Sequence, residues 1–110
     1  MEEFIKGDIV VVPFPFSDLS ATKRRPALVI ANTKNQDILL CQITSQSSRD
    51  TYAVPIEPND YNEGILHKES YVRLTRIFTA DKTIILYKVT TLKKSKMLFL
   101  TKKLIHLLES

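Results

Sequence analysis

The chain has 110 residues, of which 44% are hydrophobic and 25% charged, with a formal net charge of +4. This length predicts a single domain over residues 1–110, and the composition excludes wholesale disorder. The lone cysteine excludes an internal disulfide and a multi-cysteine zinc site. The sequence contains no apolar run of about 18 residues that would span a membrane. Its acidic start, Met1-Glu2-Glu3, is unlike a signal peptide and favours a cytoplasmic protein.

The excess positive charge lies at one end of the sequence. Residues 92–110 carry five lysines and one glutamate, whereas basic and acidic side chains balance over residues 1–91. A charge run can bind phosphates, but it is more often the solvated face of an element. The net charge alone therefore does not identify a partner.

Short apolar segments separated by turn residues predict six strands. Each segment is rich in β-branched or alternating residues and is bounded by residues typical of turns. The predicted strands are Ile9–Val12, Pro26–Ala31, Asp37–Gln46, Tyr52–Ile56, Ser70–Phe78 and Thr83–Thr90. Pro26 is expected at the first position of its strand because proline donates no ladder hydrogen bond. Pro58–Gly64 is expected to form a turn that could include one helical turn. The pattern predicts an antiparallel barrel or sandwich.

The third predicted strand shows clear alternation. Leu39, Cys41 and Ile43 would face one side, so Cys41 is expected in the core. Gln42 and Thr44 would lie together on the other side.

The last segment has a helical period. Its predicted apolar stripe consists of Met97, Leu100, Thr101, Leu104 and Leu108. Phe99 falls on the polar side, where it is either covered by a neighbouring loop or offered to a partner.

One cluster of residue types suits phosphate chemistry. Arg24-Arg25-Pro26 is expected at a loop-to-strand junction, where the backbone would aim a guanidinium that matches phosphate bidentately. Thr44 and Gln42 add polar groups, and Arg73 lies in the middle of a predicted strand, where a charge needs water or a partner. Together they predict a metal-free phosphodiester site.

Each of these residues also has a purely structural interpretation. Arg25 could pair with Asp8 or Asp50, Thr44 is a common strand residue, and Arg73 could lie on a solvated face. His67 and His106 have no partner at metal-ligand spacing, so neither a metal nor another cofactor is expected.

Five short blocks in order resemble the MazF/PemK family of toxins from type II toxin–antitoxin pairs. They extend over nearly the whole chain, and the pairing of Gly-Asp with Arg-Pro-Ala-Leu-Val is the most specific part. The blocks are Gly7-Asp8-Ile9-Val10, Arg25-Pro26-Ala27-Leu28-Val29, Ile43-Thr44-Ser45, Ser70-Tyr71-Val72-Arg73 and Thr79-Ala80-Asp81-Lys82.

The resemblance implies an SH3-like antiparallel β-barrel of the MazF/PemK (CcdB/Kid-like) type with a C-terminal helix, acting as a homodimer. It implies a metal-independent, sequence-specific endoribonuclease that cleaves single-stranded RNA, and a cognate antitoxin as partner. In that chemistry the 2′-hydroxyl attacks the adjacent phosphate and leaves a cyclic phosphate and a 5′-hydroxyl.

The resemblance also assigns roles to individual residues. Arg25 matches the family's catalytic arginine, Thr44 the threonine that holds the scissile phosphate, and Arg73 the arginine of PemK-like members. The residues expected to bind RNA are Lys23, Arg24, Phe16, Ser17, Gln42, Ser45 and Ser70.

The chain departs from the family pattern at the general base. Thr75 stands where PemK-like members have an aspartate, which leaves Asp18 and His67 as unranked candidates. Two other functions therefore remain open. One is a catalytically impaired barrel that binds RNA or an antitoxin. The other is a barrel of the same fold that acts on a protein target, as gyrase-poisoning relatives do.

Overall fold

The structure, a computed structural model, describes residues 3–15, 22–46, 50–66 and 68–110. Within them the chain forms seven strands, two 3₁₀ turns and one helix. The strands are β1 (Asp8–Pro15), β2 (Thr22–Asn32), β3 (Asp37–Thr44), β4 (Ala53–Ile56), β5 (Tyr61–Glu63), β6 (Ser70–Asp81) and β7 (Tyr87–Leu92). The 3₁₀ turns are Pro58–Asp60 and Lys82–Ile84, and the helix α1 is Lys94–Glu109. The predicted mainly β fold with a C-terminal helix is confirmed.

All strand pairs are antiparallel and form one sheet, in the order β4-β6-β3-β2-β1-β7-β5. The two edge strands, β4 and β5, are consecutive in the chain and are joined through the 3₁₀ turn Pro58–Asp60. The five steps from Ile56 to Tyr61 span at most about 18 Å. The sheet must therefore curl until its edges approach each other, which makes it a half-barrel.

The central strands are buried on both faces. Ile9, Leu28 and Cys41 lie side by side in register and are fully buried on the face covered by α1. Val10 and Val29 belong to a second cluster on the opposite face, together with Phe4 and Leu40. This double burial explains why residues 9–12 are continuously apolar, as expected of a strand covered on both sides. The predicted core position of Cys41 is confirmed.

The prediction that Pro26 begins its strand is wrong. Pro26 lies inside β2, paired with Val11 of β1, and Arg24 and Arg25 are strand residues rather than a loop junction. The β2–β3 ladder extends only as far as Ala27. At Pro26 the strand therefore has β1 as its sole ladder partner, so the missing N–H of proline removes no hydrogen bond to β3.

Two local predictions also differ from the structure. Part of the expected turn Pro58–Gly64 is strand β5, and the expected strand Thr83–Thr90 begins with the last two residues of the 3₁₀ turn Lys82–Ile84, so that β7 starts only at Tyr87. The Asp81 carboxylate accepts hydrogen bonds from the Thr83 backbone N–H at 2.9 Å and the Thr83 hydroxyl at 2.8 Å. This cap stabilises the turn against an extended conformation.

The helix packs on the sheet through a stripe that differs from the predicted one at its end. Met97 and Leu100 are buried as expected, but Leu108 is 72% exposed and Leu107 contacts the core instead. The contact positions drift around the helix because 3.6 residues per turn do not repeat evenly. Phe99 is exposed. No helix in the described part of the chain is long and apolar enough to cross a membrane.

Candidate functional site

A small pocket of about 240 Å³ lies between the first half of β2, the end of β3 and the segment just before β6. It brings together five of the residues that the sequence singled out. Its lining consists of Arg24, Arg25, Pro26, Ile43, Thr44, Ser45, Leu66, Lys68 and Ser70. The pocket contains three basic side chains and no acidic one among these residues, so it suits an anion such as a phosphodiester.

Arg25 is held by a rigid stretch of backbone. It is half-buried and pairs with the fully buried Val12 of β1, and the residues that follow Pro26 in β2 are fully buried up to Val29. The backbone that carries the Arg25 guanidinium is therefore fixed before a ligand arrives. Pre-organised charge of this kind is what stabilises a developing oxyanion.

Thr44 closes β3 at the pocket and presents a hydroxyl. Its Oγ1 accepts a hydrogen bond from the Gln46 backbone N–H at 3.1 Å. This bond uses an acceptor lone pair, so the hydroxyl proton can be donated to a phosphate oxygen. Thr44 is half-buried and opposite Tyr71 of β6, which fixes its backbone.

Ser70 shapes the pocket from its far wall. It is buried, and its hydroxyl donates to the Lys68 carbonyl oxygen at 2.9 Å. The Tyr61 phenol forms hydrogen bonds to the Ser70 side chain and to the Leu66 backbone, and burial raises the pKa of this phenol. Tyr61 therefore stays neutral at physiological pH and ties the segment that carries Lys68 to the core. A contact between Ser70 and RNA stays a prediction. The Ser70 hydroxyl proton is already donated to the Lys68 carbonyl oxygen.

Lys68 was missed by the sequence reasoning. It lines the pocket, is exposed and presents a third cation beside Arg24 and Arg25. Its position two residues before the block Ser70-Tyr71-Val72-Arg73 was the available signal.

The structure does not bring Arg73 into this pocket. Its Nε donates to a carboxylate oxygen of Asp50 at 2.9 Å, and the two side chains are 25% and 10% exposed. The hydrogen bond from Arg73 is the main reason that the pKa of Asp50 lies below its ordinary value. The catalytic role that the resemblance gave to Arg73 stays a prediction without support from the pocket geometry.

The purely structural interpretation of Arg25 was an ion pair with Asp8 or Asp50. In the structure, both of these carboxylates have other partners. Asp8 is buried and accepts hydrogen bonds from the Ile5 backbone N–H at 3.0 Å and the Thr91 hydroxyl at 2.9 Å. Asp50 accepts from Arg73. The Gly-Asp block thus has a structural role, because Asp8 fastens the entry of β1 to β7.

Gln42 and Thr44 are both half-buried on either side of buried Ile43, which agrees with the expectation that they share one side of β3, but they line different cavities. Gln42 lines a separate cavity of about 460 Å³ together with Pro13, Arg76 and Ile84. The β3–β6 register shifts between Cys41 and Ile43, where two steps of β3 lie opposite five steps of β6, from Val72 to Ile77.

The remaining predicted positions lie elsewhere. Lys23 is exposed and is not among the pocket residues, and Thr75 is exposed on β6. Phe16, Ser17, Asp18 and His67 fall outside the described residues. No group of His, Cys, Asp or Glu side chains in the described ranges is arranged to hold a metal ion.

The fold and the pocket define a small curled β-barrel with a basic, phosphate-sized site on its central strands. The sequence profile of the PemK-like, MazF-like toxins of type II toxin–antitoxin systems matches residues 5–108, and the chain belongs to this family. No curated protein matches the chain significantly.

Solved structures share the fold over nearly the whole chain at low sequence identity. MazF from Deinococcus radiodurans is 19% identical and superimposes with a TM-score of 0.75 over 100% of both chains. A mycobacterial endoribonuclease in complex with its cognate antitoxin is 14% identical, with a TM-score of 0.76 over 97% of this chain and 96% of that one. The Mycobacterium tuberculosis toxin MazF-mt6 is 16% identical, with a TM-score of 0.68 over 88% and 91%.

Proposed function

We propose that the protein is an endoribonuclease toxin that cleaves single-stranded RNA at short preferred sequences without a metal ion. The observation that carries this proposal is the meeting of Arg25 and Thr44, from two different strands, in one basic pocket. Membership of the toxin family and the structural likeness to endoribonucleases support it. An RNA substrate would place the activity in the cytoplasm.

The proposed reaction is an internal transesterification. The 2′-oxygen of the substrate attacks the adjacent phosphorus as its proton passes to a base, and the bond from phosphorus to the 5′-oxygen breaks. The products are a 2′,3′-cyclic phosphate and a 5′-hydroxyl, whose oxygen takes up a proton. Since the substrate supplies the nucleophile, the protein needs to position the phosphate and stabilise its added charge.

The pocket residues suit these tasks. Arg25 would donate two parallel hydrogen bonds to the phosphorane oxygens, and the leaving 5′-oxygen would take its proton from water. The Thr44 hydroxyl would donate to a non-bridging oxygen, and Lys68 and Arg24 would attract the neighbouring phosphates.

The general base is proposed to be Asp18 or His67. A histidine base gives a rate that rises between about pH 5.5 and 7.5, whereas an aspartate base gives little change in that range. The pH profiles of D18N and H67Q would separate the two, because the variant that lacks the base loses the rise or the activity.

The deciding experiment is cleavage of a mixed-sequence RNA by purified protein in excess chelator, with primer extension to map the cut sites. Wild type should cut at a short recurring sequence, and Arg25→Gln should cut at least about 100-fold more slowly. Arg76→Gln is the matched control, because Arg76 is an exposed arginine that lines the separate cavity. Absence of cleavage by wild type, or equal cleavage by Arg25→Gln, would refute the proposal.

A second function has one observation in its favour. Thr75 replaces the family's aspartate, and a barrel without a base would bind RNA or an antitoxin without cutting. Cells that express the protein without harm, and RNA that is bound but intact, would support this alternative.

We further propose a homodimer and a cognate antitoxin as partner, since the family consists of toxins from toxin–antitoxin pairs and one structural relative is held in such a complex. Light scattering of the purified protein and co-purification with the product of a neighbouring reading frame would test the two expectations.

A further inference from the structure

A cavity of about 470 Å³, here called the Glu69 cavity, adjoins the basic pocket that holds Arg25 and Thr44. Leu66, Lys68 and Ser70 line both, so the segment just before β6 is a wall common to the two. A ligand with its charged group in the basic pocket can therefore extend past this wall into the Glu69 cavity.

The side chains that a ligand could touch in the Glu69 cavity are apolar or aromatic. Pro55 and Pro58 are exposed, Ile65 is 53% exposed, and Tyr71 is half-buried. Tyr61 also lines the cavity, but it is 8% exposed and forms the floor rather than a contact surface. Surfaces of this kind pack against the face of a planar ring, as when an aromatic side chain stacks on a nucleobase.

The charge of the Glu69 cavity differs from that of the basic pocket. Glu57 and Glu69 are exposed and line the cavity alone, and Lys68 is the one cation among the described residues of its lining. The Glu69 carboxylate forms no hydrogen bond or ion pair with any residue in the described ranges. An ionised carboxylate accepts hydrogen bonds but donates none, and it repels a phosphate. The cavity therefore suits a neutral group that is rich in N–H donors.

We propose that the Glu69 cavity binds a guanine base next to the phosphate in the basic pocket, an inference that rests on the RNA substrate proposed above. Guanine presents its N1–H and N2–H donors side by side, so both can be donated to the two oxygens of one carboxylate. Adenine and cytosine present one donor beside an acceptor. Uracil presents one donor between two carbonyl oxygens, which the carboxylate would repel. Glu69 would thus read the base edge, while Tyr71 and Ile65 pack against the ring.

The first test measures binding without cleavage. The full chain, labelled with nitrogen-15, is titrated with 5′-GMP, 5′-IMP or 5′-UMP, and each Kd is taken from the shifts of the amide signals. GMP should bind about tenfold more tightly than UMP or better, and IMP, which lacks the N2 amino group, should lie between them. Glu69→Gln should reduce the ratio of GMP to UMP affinity to less than about threefold, because the amide has one acceptor oxygen.

The matched control is Glu63→Gln. Glu63 is an exposed glutamate of β5 that lines neither the Glu69 cavity nor the basic pocket. The variant removes the same charge and should keep the wild-type ratio. The amide spectra would also verify that both variants are folded.

The second test is mapping of RNA cut sites. Wild type should cut where guanine occupies one fixed position beside the scissile bond, and Glu69→Gln should accept other bases at that position. Arg25→Gln should slow cutting at every site, because it acts on the phosphate rather than on the base.

The outcomes separate the guanine site from the proposed nuclease activity. Equal binding of GMP and UMP, an unchanged ratio in Glu69→Gln, or cut sites without a guanine preference would overturn the guanine site even if RNA is cleaved. Absence of cleavage with a GMP preference that depends on Glu69 would refute the nuclease and support the guanine site. Acetyl-arginine amide that binds wild type but not Glu69→Gln, while GMP does not bind, would instead assign the cavity to a basic peptide.

Discussion

The Arg73 Nε atom lies 2.9 Å from a carboxylate oxygen of Asp50, and this ion pair joins β6 to the segment that leads into β4. The pair lowers the pKa of Asp50, so the ionised carboxylate is more favourable in the folded state than in the unfolded chain. Its stabilising effect is present at neutral pH and is lost as the pH falls through the folded-state pKa, which lies below the ordinary value of about 3.9.

Asp50→Asn should therefore lower the free energy of unfolding by roughly 0.5–1 kcal/mol at pH 7, a range that allows for the exposure of the pair. The difference from wild type should shrink in acid. Urea unfolding at pH 7 and pH 3 measures both quantities. Asp37→Asn, an exposed aspartate of β3, is the control. A double-mutant cycle with Arg73→Gln that gives no coupling energy would show that the ion pair does not contribute.

The two arginines that the resemblance matched should differ in their effects on activity. Arg25 lines the basic pocket, whereas Arg73 is held by Asp50 outside it. We expect Arg25→Gln to lower kcat about 100-fold or more and Arg73→Gln to lower it less than about tenfold. Single-turnover cleavage of one RNA oligonucleotide compares them directly, and a larger loss for Arg73→Gln would reverse the assignment.

Thr44 should act through its hydroxyl. Thr44→Val keeps the shape of the side chain and removes the donor, so kcat should fall about tenfold to 100-fold. Thr44→Ser keeps the donor and should retain most of the activity. If valine and serine give equal rates, Thr44 only fills space at the end of β3.

Gly7 should tolerate no side chain. Its φ of +102° is a conformation that L-residues rarely adopt, and an added Cβ would lie 3.3 Å from Met97 Cγ. Its amide also donates to the Val29 carbonyl oxygen at 2.9 Å. Gly7→Ala should cost about 1–3 kcal/mol of stability. The control is Gly64→Asn, because Gly64 has a φ of +67° and a Cβ there would meet no atom nearer than 3.8 Å. Thermal unfolding of the two variants should show the larger loss for Gly7→Ala.

The Cys41 thiol should react only slowly with alkylating reagents in the folded protein. It is fully buried, and burial raises the pKa of its thiol to about 11, so little thiolate forms at neutral pH. Iodoacetamide should modify it slowly in buffer and rapidly in urea, as followed by mass spectrometry. Rapid modification of the native protein would show that β3 opens locally.

The features that follow from local chemistry were predictable from the sequence. The apolar run Ile9–Val12, the core cysteine and the helical period of the last segment all depend on neighbouring residues, and the structure confirms them. Arg25 was also predictable as a site residue, because the Arg-Pro block that indicates it consists of neighbouring residues.

The features that depend on long-range pairing were not predictable in this way. Gln42 and Thr44 are two positions apart, yet they line different cavities, and the irregular stretch of β6 between Val72 and Ile77 lies opposite the residues between them. Lys68 enters the pocket through the bonds of Tyr61 and Ser70, which no local pattern reveals.

The short segment from β4 through Pro58–Asp60 to β5 covers both ends of the sheet at once, because each of its strands is an edge partner. If this segment detached, the five remaining strands would form an open sheet with two unpaired edges, at β6 and β7. Unpaired edges are templates for pairing with other chains. Self-association of this protein under mild denaturing conditions should therefore begin with the loss of these few residues, while the central strands that carry Arg25 and Thr44 are still folded.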